Sequence, residues 1–218
     1  MSEARFKPYP IVLTQLEQVR CVVVGGGEVA ARKIRALLDS GANVTVISPE
    51  LQPQLAEWRS ASLLAHEARP YQPGDLEGAF LAIAATDRRE VNAAVAAEAR
   101  ERGLLCNVAD DPGDSTFHTL GSVTRGDVLL AVATGGDSPA LAAHIRRKLE
   151  ATFGPEYGVL ARRLGALRRE IGSRLSPAAR TQLWRTLASD EVLDWLRSGD
   201  EARLDRYIET LVAELAEH

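Results

Sequence analysis

Cysteine is nearly missing from this 218-residue chain: Cys21 and Cys106 are the only two, far apart, and no Cys/His pairs stand at metal-ligand spacing. A disulfide framework and a zinc cluster therefore find no support. Each cysteine sits beside an apolar, strand-like run and reads as a small buried core residue ahead of a catalytic thiol or a disulfide. A surplus of one charge is missing too. Lys and Arg number 26 against 30 Asp and Glu, a net charge of −4, so nothing in the overall balance attracts nucleic acid or an anionic membrane. Any anion binding must be local. No apolar run approaches the roughly 20 residues of a spanning helix. The start, Met1 to Arg20, carries Pro8 and Pro10 and no continuous apolar segment. The expectation is a soluble, cytoplasmic protein without nucleic-acid or membrane partners. Repeats and low-complexity tracts are also lacking. With 45% hydrophobic residues the chain can still bury a full core, as one sizeable domain with a smaller appendage.

What is present is an alternation of strands and helices. Arg20 to Val24 is a short β-branched run, halted by Gly25-Gly26-Gly27 and followed by helical spacing from Glu28 to Leu38, with Gly41 closing the helix. Strands are expected at Val44 to Ile47, Leu63 to Ala68, Phe80 to Ala85 and Leu104 to Val108, and helices around Leu51 to Trp58 and Glu90 to Arg102. This order implies a Rossmann-like, doubly wound parallel sheet with ligands at the carboxyl ends of its strands. After Asp110 the texture changes. Asp111-Pro112-Gly113-Asp114 reads as a loop, Phe117 to Thr124 and Val128 to Ala133 as two strands, and Ser138-Pro139 as the start of a helix to about Ala151. The rest is helix-patterned, with breaks near Gly154-Pro155, Ser176-Pro177 and Ser198-Gly199.

Gly25-x-Gly27-x-x-Ala30 lies between a strand and a helix, the context that gives the pattern meaning. Gly25 permits the turn, Gly27 lets backbone approach a pyrophosphate, and Ala30 allows close packing, while the N–H groups of Glu28, Val29 and Ala30 face the anion. Pro49 and Glu50 follow the second strand, where an acidic side chain would meet ribose hydroxyls; no arginine there matches a 2′-phosphate, which favours NAD over NADP. Thr86 and Asp87 end the Phe80 to Ala85 strand and would close over the cofactor, with helix capping as the alternative for Asp87.

Four stretches carry a resemblance. Val23 to Lys33 (VVGGGEVAARK), Leu81 to Asp87 (LAIAATD) with Val91-Asn92, Cys106 to Asp110 (CNVAD) and Ala133 to Ala142 (ATGGDSPALA) are, in order, similar to the precorrin-2 dehydrogenase / sirohydrochlorin ferrochelatase family, which is also the N-terminal part of siroheme synthase. They span most of residues 10 to 150. The resemblance implies NAD-dependent oxidation of precorrin-2 to sirohydrochlorin, and in some members insertion of ferrous iron to give siroheme. It implies three parts: a Rossmann domain over 1–112, a dimerisation module over 113–150 that makes a homodimer, and a helical C-terminal domain over 151–218. It stops short of the methyltransferase domain of the fused synthases, so precorrin-2 is expected from a separate protein. At Thr119-Leu120-Gly121 the chain departs from the proline and alanine common in the family.

Chemistry then concentrates on Asp110, which follows the strand Leu104 to Val108 and emerges at the nicotinamide edge. Oxidation removes a hydride and a proton, and a carboxylate shielded beside an apolar macrocycle suits the proton. The resemblance gives the catalytic role to Asp110, an ordinary turn aspartate being the alternative; Asp111 is the reserve. His118 is a second candidate for the protons released on iron insertion. The substrate's carboxylates need donors: Thr134, Gly135, Gly136 and Ser138 supply them at a strand end entering a helix, and Asn107 lies in a family stretch. Arg146, Arg147 and Lys148 are either further cations for the substrate or a solvated helix face. No resident metal is expected. Two other classes stay open: a noncatalytic NAD-sensing module, and a dehydrogenase of a small hydroxy or amino acid, for which no histidine–carboxylate dyad is visible.

Overall fold

The computed structural model describes residues 9–135, 138–171 and 174–216, which fall into two compact units divided between Thr119 and Leu120. In the first, the β-branched run forms β1 (Arg20–Val24), and Cys21 to Val24 are all buried, as a strand covered on both faces requires. It pairs with β2 (Asn43–Ile47) on one side and β4 (Ala79–Ala84) on the other; β3 (Ala65–Glu67) and β5 (Leu105–Val108) are the outer strands. The order is β3-β2-β1-β4-β5 and every pairing is parallel. The chain thus runs outward from β1, then returns to β4 on its other side, which makes the β1/β4 boundary the switch point where such sheets bind ligands.

Helices α1 (Glu28–Asp39), α2 (Pro53–Ser60) and α3 (Arg89–Glu101) cover this sheet. Ala30, Ile34, Leu55 and Trp58 pack with Val23 and Ile83 in one core, while Val95, Ala96 and Ala99 pack with Val22, Val24 and Ala82 in the other. Each fully buried Val, Leu or Ile contributes about 1.5–3 kcal/mol, so the two layers hold the strand ends rigidly in place.

Two expected strands are shorter than the pattern implies. Ser62 takes φ +58° and the Leu63 amide bonds Trp58 O at 2.9 Å to close α2, so the strand expected over 63–68 is confined to β3. The strand expected from Phe117 begins only at Gly121. Residues 115–117 instead shield the free edge of β5: Thr116 N donates to Cys106 O at 2.8 Å, Thr116 Oγ1 accepts from Cys106 N at 2.8 Å and Ser115 Oγ from Val108 N at 2.9 Å. Hydroxyls stand in for a sixth strand, and Phe117 packs on the α1-side core.

The second unit opens with an antiparallel hairpin, β6 (Gly121–Arg125) and β7 (Val128–Val132), turning at Gly126 with φ +56°. Then come α4 (Pro139–Thr152), α5 (Pro155–Ile171), α6 (Pro177–Leu187), α7 (Asp190–Arg197) and α8 (Glu201–Ala216). Leu160, Leu183, Leu187, Val192 and Leu204 form the core of the last four. Three helix breaks fall where Pro and Gly place them; the fourth, at Ala188-Ser189, carries neither residue. Helix α4 buries none of its residues, and Leu141 on it and Leu129 on β7 are exposed. Among the described residues no helix is long and apolar enough to cross a membrane.

Candidate active site

Among the loops that leave the carboxyl edge of the first unit's sheet are Gly25–Gly27 after β1, Ser48–Glu50 after β2, Thr86–Arg88 after β4 and Ala109–Asp110 after β5. The glycine turn is built by contacts that allow no side chain. Gly25 takes φ +125°, and a Cβ on it would lie 2.3 Å from Ala85 O. On Gly26 a Cβ would lie 1.9 Å from Glu50 O and 2.6 Å from Ser48 Oγ. The loop after β2 is held against it, because Ser48 Oγ donates to Glu50 O at 2.7 Å and Gln52 N to Gly26 O at 2.9 Å. Gly26 is thus a structural requirement that the spacing of Gly25 and Gly27 does not express.

Gly27 differs: it caps α1 with no side-chain hydrogen bond, and a Cβ there would meet no atom within 4 Å. The amide of Ala31 bonds Gly27 O at 3.0 Å, so the amides of Glu28, Val29 and Ala30 are the first-turn donors without an intrahelical acceptor. Bare first-turn amides, a helix dipole and a glycine with open space before it fit a diphosphate. Ala30 is fully buried against the sheet. Pro49 and Glu50 are exposed beside this turn, and Asp87 is exposed after β4. Arg88, not Asp87, occupies the N-cap of α3, and no side chain caps it, so the capping alternative for Asp87 does not hold.

Thr86 and Asp110 are joined through a residue that was not among the sequence-derived site residues. Asn92, 2% exposed, accepts from Thr86 N at 3.1 Å and Thr86 Oγ1 at 2.7 Å, and its Nδ2 donates to Thr86 O at 3.1 Å and Asp110 Oδ1 at 2.9 Å. The Asp110 side chain is 41% exposed, and its Oδ2 lies 3.9 Å from Nε of Arg89. The shielding expected around this carboxylate is not supplied by the first unit itself. Asp111 takes the turn role, with Oδ1 accepting from Gly113 N at 2.8 Å. A signal for Asn92 did exist: it occupies the same helical stripe as Val95, Ala96 and Ala99, and a polar residue on a buried stripe asks for partners.

Asn107 lies inside, 4% exposed, with Nδ2 donating to Phe117 O at 3.0 Å and Oδ1 without a partner. Its visible task is to hold the segment carrying Phe117 and the exposed His118. Lys33 on α1 steadies the same segment through Thr119 Oγ1 at 2.7 Å; burial first, then the neighbouring Arg32, holds its amine below the usual lysine range. Burial pushes the Cys106 thiol up to about 11 and raises that of Cys21, in keeping with core residues. In the second unit, Ser138 caps α4 by accepting from Leu141 N at 3.3 Å, and Thr134 Oγ1 donates to Ser138 O at 3.0 Å. Gly135 takes φ +67°; Gly136 lies outside the described residues. Arg146 pairs with Glu150 at 3.1 Å on its own helix. Among the described residues no cluster of three or more His, Cys, Asp or Glu could hold a metal.

Sheet order, switch point and bare glycine turn define a dinucleotide-binding protein of the doubly wound class. Residues 12–120, half of the chain, match the family described as "Putative NAD(P)-binding", and the chain belongs to that family. Residues 156–212, over α5 to α8, match the sirohaem synthase dimerisation region. The chain is 40% identical over 208 residues to siroheme synthase 1 of Aeromonas salmonicida and 42% identical over 206 residues to siroheme synthase of Chromobacterium violaceum. These matches cover 94% of this chain and 44% of each relative, so the chain spans less than half the length of the curated synthases. A solved structure of the precorrin-2 dehydrogenase SirC is similar with a TM-score of 0.78 at 26% identity, covering 93% of this chain and all of that one.

Proposed function

We propose that this protein oxidises precorrin-2 to sirohydrochlorin with NAD, as a cytoplasmic homodimer. The observation that carries the reading is the Asp110 carboxylate on the same sheet edge as the glycine turn, held by a buried amide and open to a substrate. When bound, NAD supplies the acceptor for the hydride that leaves the macrocycle. The turn at Gly25 and Gly27 and the amides of Glu28, Val29 and Ala30 hold the diphosphate. Pro49 and Glu50 border the adenosine ribose, where a carboxylate favours its hydroxyls over a 2′-phosphate. Thr86 and Asp87 border the nicotinamide half.

Asp110 accepts the accompanying proton, and the balance is precorrin-2 plus NAD⁺ giving sirohydrochlorin, NADH and one proton. In the second unit, taken by itself, the Gly135 amide and the Ser138 hydroxyl are donors of the kind that suit a carboxylate. Asn107 contributes by holding the wall at Phe117. Ferrous iron is a substrate of a second step, in which two pyrrole protons leave toward Asp110 and His118. The dimer is supported by the sirohaem synthase dimerisation match and by α4, which buries nothing of its own.

Anaerobic mixing of the protein with precorrin-2 and NAD tests the reading. The expected result is the absorbance of sirohydrochlorin with one NADH per macrocycle. Absence of that spectrum, or its appearance without NAD, rejects the reading. Ferrous iron added to sirohydrochlorin tests the insertion separately.

A further inference from the structure

Asn92 uses its whole hydrogen-bonding capacity. An amide oxygen accepts two bonds and an amide nitrogen donates two. Here Oδ1 takes Thr86 N and Thr86 Oγ1, while Nδ2 gives to Thr86 O and Asp110 Oδ1, at 2.7–3.1 Å throughout. The reverse orientation of the amide would set its nitrogen against a donor and its oxygen against both a carbonyl and a carboxylate. Three of the four bonds therefore fix the direction of the fourth. A buried amide satisfied only by a backbone turn would need no carboxylate partner; this one spends its last donor on Asp110.

We propose that Asn92 is the positioning residue of this site: it clamps Asp110 Oδ1 to the end of β4 and leaves Oδ2 as the oxygen that meets the substrate. The inference rests on the reading of Asp110 as the proton acceptor. Thr86 stands two residues past β4, which pairs with β1 ahead of the glycine turn, so the clamp ties the base to the strand framework that also carries the cofactor turn. Without it, Asp110 would hang on an exposed loop, and misplacement of a reacting group by about 1 Å costs on the order of 100-fold in rate. Arg89, on the first turn of α3, is the charged side chain that faces Asp110 Oδ2, and it is itself 88% exposed. Asp111, next in the loop, has its Oδ1 turned to the amides of Gly113 and Asp114.

Asn92→Asp, Asn92→Ala, Asp110→Asn and the double variant Asn92→Ala/Asp110→Asn test the proposal in the full chain, with NAD binding read by fluorescence to confirm folding. Asn92→Asp keeps the acceptor for Thr86 but sets a carboxylate against Asp110, and paired carboxylates resist joint ionisation. The expected result is an acid limb of the kcat profile moved at least one unit to higher pH, with KM for NAD within twofold. Asn92→Ala is expected to lower kcat about 100-fold in the native background and less than threefold when Asp110 is already Asn. An unmoved pH profile, or equal losses in both backgrounds, gives Asn92 a merely structural role and leaves Asp110 as the base. An Asp110→Asn variant with native turnover overturns the base reading and the role of Asn92 with it. If Asn92→Ala does not fold, Asn92→Asp decides through its pH profile alone.

Discussion

The carbonyl oxygen of Glu50 stands 1.9 Å from where a Cβ on Gly26 would be. The second loop of the sheet edge is thus seated on the middle residue of the glycine turn, and Ser48 Oγ holds that carbonyl in place. Replacing Gly26 by Ala must push the two loops apart. The expected cost is about 1–3 kcal/mol of stability, with NAD affinity reduced at least tenfold. Thermal unfolding and NADH fluorescence titration read the two effects.

Gly27 gives the complementary outcome. A Cβ there touches nothing, so Gly27→Val should leave the melting temperature within about 2 °C, a change below roughly 0.5 kcal/mol for a chain of this size. It would still place a branched side chain before the amides of α1 and weaken NAD binding tenfold or more. Unchanged affinity would move the diphosphate away from this helix.

Glu98 makes the first unit acid-sensitive. Burial works against its charged form, but bonds from Tyr71, the amides of Gly74 and Leu76, and Arg102 outweigh burial and hold its carboxyl below the ordinary value of 4.5. A depressed carboxylate stabilises the fold above its unfolded value, and that contribution is lost as pH falls through the folded value. Stability should therefore be level above about pH 5 and fall below 4.5. Glu98→Gln should cost about 1–3 kcal/mol at neutral pH and flatten the acid limb, as urea unfolding at pH 3.5 to 7 would reveal.

Leu129 and Leu141 test the homodimer. Both are exposed on a hairpin and a helix that bury little by themselves, and a lone two-stranded hairpin is marginal in water. Leu129→Lys with Leu141→Lys should raise the dimer Kd at least 100-fold in sedimentation velocity. An unaltered Kd would place the interface on α5 to α8, where the dimerisation match falls.

Much of this was legible in the residues. The run Arg20 to Val24 can only be a buried strand, Gly25 and Gly27 before Val29-Ala30-Ala31 mark a phosphate turn, and Pro139, Pro155 and Pro177 start helices at their first positions. Two features were not legible. The partner of Asn92 is one of them, because helical spacing says which face is buried, not that a buried amide meets a carboxylate two residues beyond the next strand. Phe117 reads as the start of a strand, yet it lies with Ser115 and Thr116 along β5, where two hydroxyls accept the edge amides of Cys106 and Val108.

Local physics by itself determined the elements: periodicity, β-branching and the conformational demands of Gly and Pro act over a few neighbours and need no knowledge of the rest of the chain. What holds Asp110 apart from its neighbour Asp111 was decided only by the tertiary structure. Asp110 and Asp111 have the same side chain and the same local neighbourhood. The parallel packing of β4 and β5 brings the amide of Asn92 to the first, while the turn at Gly113 engages the second.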